Sequence, residues 1–304
     1  MTETAPSDRV LPFEIERSRL RGRLVRLGPL LDTILGQHDY PEAVARLLGE
    51  TVLLAATLAS ILKYDGLFTL QIKGDGPVGL IVADVFNGAD AGTRTARGFA
   101  RFDRDAVSRM TADPHMLQMS LVGKGWLAFT VDQGPDTERY QGIVELRGKV
   151  LSECVQYYFQ QSEQLATGLT IAIGRENGLW NGAALLLQRL PTDNATLGEG
   201  EEDDWRRAMV LMATLGTAEL LDPALTDPDL LWRLFHEDGV RVYDPTALLA
   251  GCRCSRDKVI ATLQALGRDD VQALRDDGVV KVTCGFCNTQ YAIDDRELVN
   301  TASP

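Results

Sequence analysis

Four of the five cysteines lie in two close pairs near the C-terminus, and this spacing constrains the fold of that region more than any other feature. The pairs are Cys252-x-Cys254 in GCRCSRDKV and Cys284-x-x-Cys287 in VTCGFCNTQ. Two short turns that approach each other can present four sulfurs as a tetrahedron, which is the geometry of closed Zn²⁺ sites. The stretch between the pairs favours helix, so we predict a small zinc-binding module over residues 246–304.

The chemistry of the quartet leaves two interpretations open. A plain zinc ribbon, which only holds the C-terminal fold together, is more often built from two Cys-x-x-Cys turns. The first pair here is Cys-x-Cys, and a disulfide within it closes a very small ring with strained geometry and an oxidising potential. Zinc keeps the sulfurs deprotonated and therefore reactive toward peroxide or hypochlorite. Such a bond is better suited to a reversible redox switch than to a permanent structural disulfide.

Secreted disulfide staples do not explain the cysteines. The N-terminal residues have neither a basic start nor an apolar central run, so they do not read as a secretory signal. The longest apolar stretch, TVLLAATLASIL, is shorter than the roughly 18 residues that span a bilayer. We expect a cytoplasmic protein without a membrane partner, in a compartment where thiols stay reduced.

Runs of strand signals joined by short turns occupy residues 1–190. Two helices interrupt them, a long buried one over residues 41–63 and another over residues 150–165. The second helix carries Cys154 on an apolar stripe, so we expect this fifth cysteine to be a buried small hydrophobe without a nucleophilic role. The fold class predicted is α+β, with a mainly antiparallel N-terminal sheet and helices, a helical linker segment and the small zinc-binding module.

Residues 191–245, which we call the acidic segment, separate the core domain of residues 1–190 from the module. The counts over residues 191–251 are 13 Asp/Glu against 4 Lys/Arg. Short, partly apolar helices in an acidic frame bury little apolar area by themselves, so we predict a metastable linker that depends on its neighbours for stability. No section of the chain is basic, which disfavours nucleic acid as a partner.

A phosphate-binding loop is also absent from the sequence. GDGPVG, residues 74–79, matches G-x-G-x-x-G, but another strand signal follows it where a nucleotide site needs a helix. Its Asp-Gly and Gly-Pro steps predict a hairpin turn. The stretch therefore gives no support to ATP binding.

Separated motifs along nearly the whole chain, in the same order, resemble the 33 kDa heat shock protein family of redox-regulated bacterial chaperones. Beside the cysteine quartet these are HDYP (38–41), KGDGP (73–77), ERYQG (138–142), YYFQQSEQL (157–165) and LLWRLFHEDGVRVYDP (230–245).

The resemblance implies a function and a mechanism. Cys252, Cys254, Cys284 and Cys287 would hold one Zn²⁺ per chain in the reduced, inactive form. Oxidation would form the disulfides Cys252–Cys254 and Cys284–Cys287 with release of zinc, and the linker would unfold. The active form would be an ATP-independent holdase, a homodimer when oxidised, that binds unfolding client proteins and hands them to ATP-dependent foldase chaperones.

The acidic segment also supplies candidates for client contact. Once unfolded, it would expose apolar side chains while its charge keeps the complex soluble. In the reduced state we expect the same side chains to pack against the N-terminal domain. The candidates are Trp205, Met209, Met212, Leu230, Trp232 and Phe235.

A rival interpretation comes from a different functional class. The chain would be an enzyme with its active site in the N-terminal domain, and the zinc ribbon would be purely structural. That interpretation predicts a small-molecule pocket and an activity insensitive to mild oxidation, whereas the holdase has no catalytic residues.

Overall fold

The computed structural model divides the chain into two compact units, Met1–Ala250 and Gly251–Pro304. Each unit is described by itself below. The structure describes residues 7–87, 93–111, 118–134, 137–189, 199–266, 268–276 and 278–299.

One sheet of eleven strands forms the centre of the larger unit. Its order is β7-β6-β3-β4-β5-β11-β1-β2-β9-β8, with β10 beside β1. The strand pairs are antiparallel except β5 with β11, which confirms the predicted α+β class. The strands are β1 (Arg9–Ile15), β2 (Leu20–Leu27), β3 (Leu67–Gly74), β4 (Val78–Asn87), β5 (Thr93–Phe102), β6 (Gly125–Asp132), β7 (Tyr140–Glu145), β8 (Thr167–Glu176), β9 (Leu179–Arg189), β10 (Val240–Val242) and β11 (Thr246–Ala250).

Seven α-helices accompany this sheet in the described part of the unit. The motif GDGPVG forms the turn between the paired strands β3 and β4, as the sequence predicts. The helices are α1 (Pro29–Leu35), α2 (Glu42–Ile61), α3 (Arg104–Met110), α4 (Leu151–Tyr158), α5 (Glu199–Ala213), α6 (Thr217–Leu221) and α7 (Asp227–Phe235).

Helix α2 is the central helix of the larger unit. This helix of 20 residues is long and apolar enough to cross a membrane by length and composition alone. However, 78% of its 18-residue apolar stretch is buried inside the protein. The buried side chains belong to the same cluster as residues of α1, α4 and one face of the sheet. The helix therefore fills the main core.

Helices α5, α6 and α7 bury a second apolar cluster against the opposite face of β1, β2, β8 and β9. The rings of Phe13 and Phe235 stack in this cluster with centroids 6.4 Å apart. Phe13 also fills the space above Gly22, where an added Cβ would lie 2.0 Å from its ring. Strand β9 is buried on both faces because it lies between the two helical layers.

A buried charge cluster fixes the start of α7 to the sheet. Asp227, with a side chain 5% exposed, accepts a hydrogen bond from Arg9 Nε at 2.6 Å. Arg26 Nε lies 2.8 Å from the other carboxylate oxygen, as an ion pair without hydrogen-bond geometry. Arg26 also donates to the carbonyl oxygens of Asp222 and Leu225 at 3.0 and 3.1 Å. One carboxylate is therefore shared between two partly buried arginines.

The boundary of the C-terminal unit differs from the one read in the sequence. Thr246–Ala250, which we assigned to the module, forms β11 in the middle of the large sheet. A short apolar TALLA stretch carries no signal for its distant partners, so its pairing with β5 and β1 could not be read locally. The unit begins at Gly251 and not at residue 246.

The C-terminal unit has a small core of its own. A three-stranded antiparallel sheet packs with helices around four buried apolar side chains, Leu263, Val271, Val280 and Ile293. Its elements are α8 (Arg256–Ala265), α9 (Arg268–Ala273), β12 (Arg275–Asp276), β13 (Val279–Thr283), β14 (Gln290–Asp294) and α10 (Asp295–Val299).

Candidate metal centre

The first cysteine pair lies in the extended residues 251–255, directly before α8. The Ser255 hydroxyl accepts a hydrogen bond from the backbone N–H of Lys258 at 3.3 Å and begins the helix. The helix begins after this cap, so the residues before it are not drawn into the helix. Cys252 and Cys254 therefore remain in irregular backbone, where the Cys-x-Cys spacing places both side chains toward the same point.

The second pair lies in the tight turn between β13 and β14. The backbone N–H of Cys284 donates to the Thr289 carbonyl, and the N–H of Asn288 donates to the Cys284 carbonyl, both at 2.9 Å. Asn288 has φ of 56°, a left-handed conformation that asparagine tolerates better than most residues. This closed turn holds Cys284 and Cys287 at the end of the hairpin.

The fold brings all four cysteines together. Their Sγ atoms lie within 4.8 Å of one another, with Cys252 to Cys284 at 3.7 Å and Cys254 to Cys287 at 3.4 Å. Four sulfurs bound to a tetrahedral zinc at about 2.3 Å are about 3.8 Å apart. The donor set and its spacing therefore fit a metal ion, and zinc in particular.

Both of these contacts join one pair to the other. None of the five cysteines forms a disulfide in this structure.

The thiols of the cluster differ in acidity because their surroundings differ. A hydrogen bond from Tyr291 lowers the pKa of Cys254, but burial and the neighbouring thiols outweigh it, and the pKa is raised to about 12. Burial also raises the pKa of Cys284. Burial opposes ionisation of Cys287, yet hydrogen bonds from Thr289 and the other thiols lower its pKa to about 6.

Two residues that the sequence analysis did not single out contact the sulfurs. Tyr291 Oη donates a hydrogen bond to Cys254 Sγ at 3.1 Å, and Thr289 Oγ1 lies 3.2 Å from Cys287 Sγ. The contact with Cys254 is the main reason that the pKa of Tyr291 is raised to about 12. The sequence signal for these two contacts was position: Thr289 and Tyr291 follow Cys287 by two and four residues. Residues that directly follow a hairpin turn lie beside that turn.

The candidate client-contact residues are mostly packed in this structure. They belong to α5 and α7, in the cluster beneath the sheet. Trp232 differs, with 62% of its surface exposed. The others are buried or half-buried: Trp205, Met209, Met212, Leu230 and Phe235.

Cys154 has the environment that the sequence predicts. Its side chain is fully buried on α4, in the main core. The thiol donates a hydrogen bond to the Arg147 carbonyl at 3.1 Å, and burial raises its pKa. A protonated, enclosed thiol is a poor nucleophile, so its place in the structure is that of a packing residue.

Known proteins resemble this chain over nearly its full length. The 33 kDa chaperonin of Caulobacter vibrioides (strain NA1000 / CB15N) is 40% identical over 97% of this chain and 99% of its own. That of Escherichia coli (strain SMS-3-5 / SECEC) is 35% identical over 98% and 97%. The crystal structure of the Thermotoga maritima Hsp33 homologue matches the fold with a TM-score of 0.77 at 21% identity, covering 96% of each chain. A family model described as Hsp33 protein matches residues 8–294, and the chain belongs to this chaperone family.

Proposed function

We propose that this protein is a redox-regulated, ATP-independent holdase, inactive when reduced and activated by oxidation of its cysteine cluster. The observation that carries the proposal is the meeting of four sulfurs within 4.8 Å in a unit whose described residues include four buried apolar side chains. Membership of the Hsp33 family supports the chaperone role, with unfolding proteins as clients.

In the reduced form, Cys252, Cys254, Cys284 and Cys287 would hold one Zn²⁺ per chain. Bound zinc keeps the four sulfurs as thiolates and contributes about 10–16 kcal/mol of apparent folding free energy in small modules. Tyr291 and Thr289 would orient two of these sulfurs through the hydrogen bonds described above. Most of the folding free energy of the C-terminal unit would therefore come from coordination of zinc by the four cysteines.

Oxidation would convert the four ligands into the disulfides Cys252–Cys254 and Cys284–Cys287. In each pair one thiolate attacks hydrogen peroxide and becomes a sulfenic acid with loss of hydroxide, and the second thiolate displaces a second hydroxide to form the S–S bond. Each pair gives up two electrons to one peroxide, and the two hydroxides take up two protons from solvent to become two waters. Disulfide sulfurs are poor ligands, so the module loses both its metal and the associated folding energy.

Helices α5, α6 and α7 of the acidic segment would then leave the sheet and expose two apolar surfaces. One is its own face, with Met212, Leu230 and Phe235. The other is the sheet face beneath it, which includes Phe13, Leu24 and other buried side chains. Exposed contiguous apolar area of this kind binds unfolding proteins, and the methionines adapt to varied clients.

Further parts of the proposal concern the setting of the activity. The protein would act in the cytoplasm as a non-enzymatic chaperone, would form a homodimer when oxidised, and would pass clients to ATP-dependent foldases. The turn formed by GDGPVG between two strands supports ATP independence, because it lacks the helix N-terminus that binds phosphates.

A light-scattering assay tests the proposal. A thermally unfolding test protein is heated without nucleotide, in the presence of this chain either reduced and zinc-loaded or treated with peroxide. Zinc release is followed in the same samples with a chromophoric chelator. Suppression of scattering by the oxidised sample alone, together with release of one zinc per chain, is the expected result.

Equal behaviour of the two samples would overturn the switch and leave the cysteines as a structural zinc site. The rival enzyme would then be the better explanation, with an active site in the larger unit. Reduced and oxidised samples would also bind a hydrophobic dye equally in that case, whereas the holdase predicts increased dye binding after oxidation.

Tyr291→Phe is expected to weaken zinc binding by about tenfold while leaving the chain folded. The change deletes only the hydroxyl that donates to Cys254 Sγ, and loss of such an outer contact costs roughly 10–100-fold in metal affinity. Competition with a chelator of known affinity measures the change. Tyr243→Phe is the matched control, since Tyr243 bonds to Glu14 in the larger unit. Unchanged affinity in Tyr291→Phe would show that its hydrogen bond does not support the site.

A further inference from the structure

The larger unit contains a cavity of about 360 Å³ that the proposed switch does not use. It lies at the C-terminal end of α2, among β2, β3, β6 and the residues that follow α4. Its volume lies within the range of small-molecule sites, about 300–1,000 Å³.

Aromatic side chains form much of the cavity wall. Phe129 is central, with its ring 4.6 Å from Tyr158 in an edge-on contact and 6.4 Å from Phe68 in a stacked one. Rings fixed in this way give a rigid apolar surface that costs little conformational entropy when a ligand binds. The aromatic lining comprises Tyr64, Phe68, Phe129, Tyr140, Tyr158 and Phe159.

The backbone after α4 departs from regular helix at this wall. The sequence predicts one α-helix over residues 150–165, but α4 ends at Tyr158 and continues as a π-turn, Phe159–Glu163. Gln164 then takes a left-handed conformation with φ of 53°. Wide turns of this type cost stability and frequently mark functional sites. Here the turn brings Phe159, Glu163 and Leu165 to the same cavity.

The one carboxylate of the wall is already hydrogen-bonded. Glu163 Oε1 accepts from both Tyr140 Oη and Tyr158 Oη at 2.6 Å. Burial and the carboxylate raise the pKa of Tyr158, so both hydroxyls remain protonated donors. The negative charge of Glu163 is thus spread over a hydrogen-bonded cluster.

Two cations line the same cavity in a chain whose net charge is −12. Arg21 donates through Nε and Nη2 to the amide oxygen of Gln188, and it has no ion pair with any described carboxylate. Burial lowers the pKa of this guanidinium. Lys63 is the second cation, and Arg23 lies close enough to Arg21 for their charges to repel. Among the described side chains, Arg21 hydrogen-bonds to an amide and not to a carboxylate, and a partly desolvated arginine of this kind is stabilised by an anion.

We propose that this cavity binds a small amphipathic organic anion, with its apolar body against the aromatic wall and its carboxylate at Arg21 and Lys63. Arg21 supplies the directional contact, because a guanidinium can bind a carboxylate through two parallel hydrogen bonds. Lys63 adds charge at the exposed side. The site is independent of the cysteine cluster, so it binds the reduced protein.

Titration calorimetry with the reduced full-length chain tests this assignment, using decanoate below its micelle concentration as the probe. Uncharged 1-decanol has the same chain length and isolates the contribution of the carboxylate. The expected result is saturable binding of one decanoate per chain, about tenfold tighter than decanol. Arg21→Gln is expected to remove that preference while decanol binding stays unchanged.

Arg101→Gln is the matched control, because Arg101 is an exposed strand arginine outside the cavity. It should bind decanoate like the unmodified chain. Thermal denaturation of each variant shows whether it is folded, and Lys63→Gln gives a second test at an exposed position. Non-saturable binding, equal affinity for decanoate and decanol, or full affinity in folded Arg21→Gln would each overturn the proposal.

Discussion

Cys252→Ser is expected to weaken zinc affinity by more than about 100-fold, since loss of a mere outer-sphere partner already costs 10–100-fold. The C-terminal unit should unfold with the metal. The described part of its core has four buried apolar side chains, too few to replace the roughly 10–16 kcal/mol that a structural zinc contributes. Metal content per chain, together with amide hydrogen exchange of residues 251–299, measures both effects.

Cys154→Ser provides the control for this experiment. Cys154 lies in the core of the larger unit, and a serine there can keep the hydrogen bond to the Arg147 carbonyl. This variant should retain one zinc per chain and a protected C-terminal unit. A Cys252→Ser chain with stoichiometric zinc at unchanged affinity would contradict the ligand assignment directly.

Asp227→Asn is expected to destabilise the packing of the acidic segment by about 3 kcal/mol, since breaking a buried ion pair leaves uncompensated charge. Here one substitution leaves two arginines, Arg9 and Arg26, without their shared carboxylate. The proposed mechanism then predicts that the reduced, zinc-loaded variant already suppresses aggregation. Hydrogen exchange in α5–α7 and light scattering measure the opening and the activity separately.

Asp203→Asn is the corresponding control within the same segment. Asp203 pairs with Arg206 on the helix surface, where both side chains are mostly exposed, and such pairs contribute at most about 1 kcal/mol. This variant should remain inactive when reduced. Asp227→Asn could also open the segment without any gain of holdase activity. That result would show that packing of α5–α7 on the sheet is not what keeps the chaperone inactive.

The sequence predicted those elements of the fold whose signals are local. The apolar stripe Leu151, Cys154, Val155 and Tyr158 is buried as its spacing indicated, and α2 occupies almost the stretch assigned to it. Strand β11 and the π-turn after α4 were missed. The first depends on pairing with distant strands, and the second on a widening of the backbone that residue spacing does not encode.

At the candidate site, the sequence identified the four cysteines but not their surroundings. Spacing alone indicated that Cys252, Cys254, Cys284 and Cys287 would meet, and the structure places their sulfurs together. The ligand role and the disulfide pairs remain proposals. Tyr291 was not singled out, because it belongs to no motif and its partner Cys254 lies far along the chain. The sequence predicts Asp227 only as the cap of α7, whereas the structure has Thr226 as the cap and Asp227 paired with distant arginines.

The position of β11 in the sheet limits how far a released acidic segment can travel. The segment leaves the sheet after β9 and returns to it at β10 and β11, and all three strands are paired within one sheet. Release of helices α5–α7 would therefore create a loop whose two ends stay anchored in the sheet, and not a free tail. Return to the sheet is then a unimolecular step whose closure entropy grows only slowly with loop length. The sheet would stay folded throughout, and helices α5–α7 would pack on it again once the thiols are reduced.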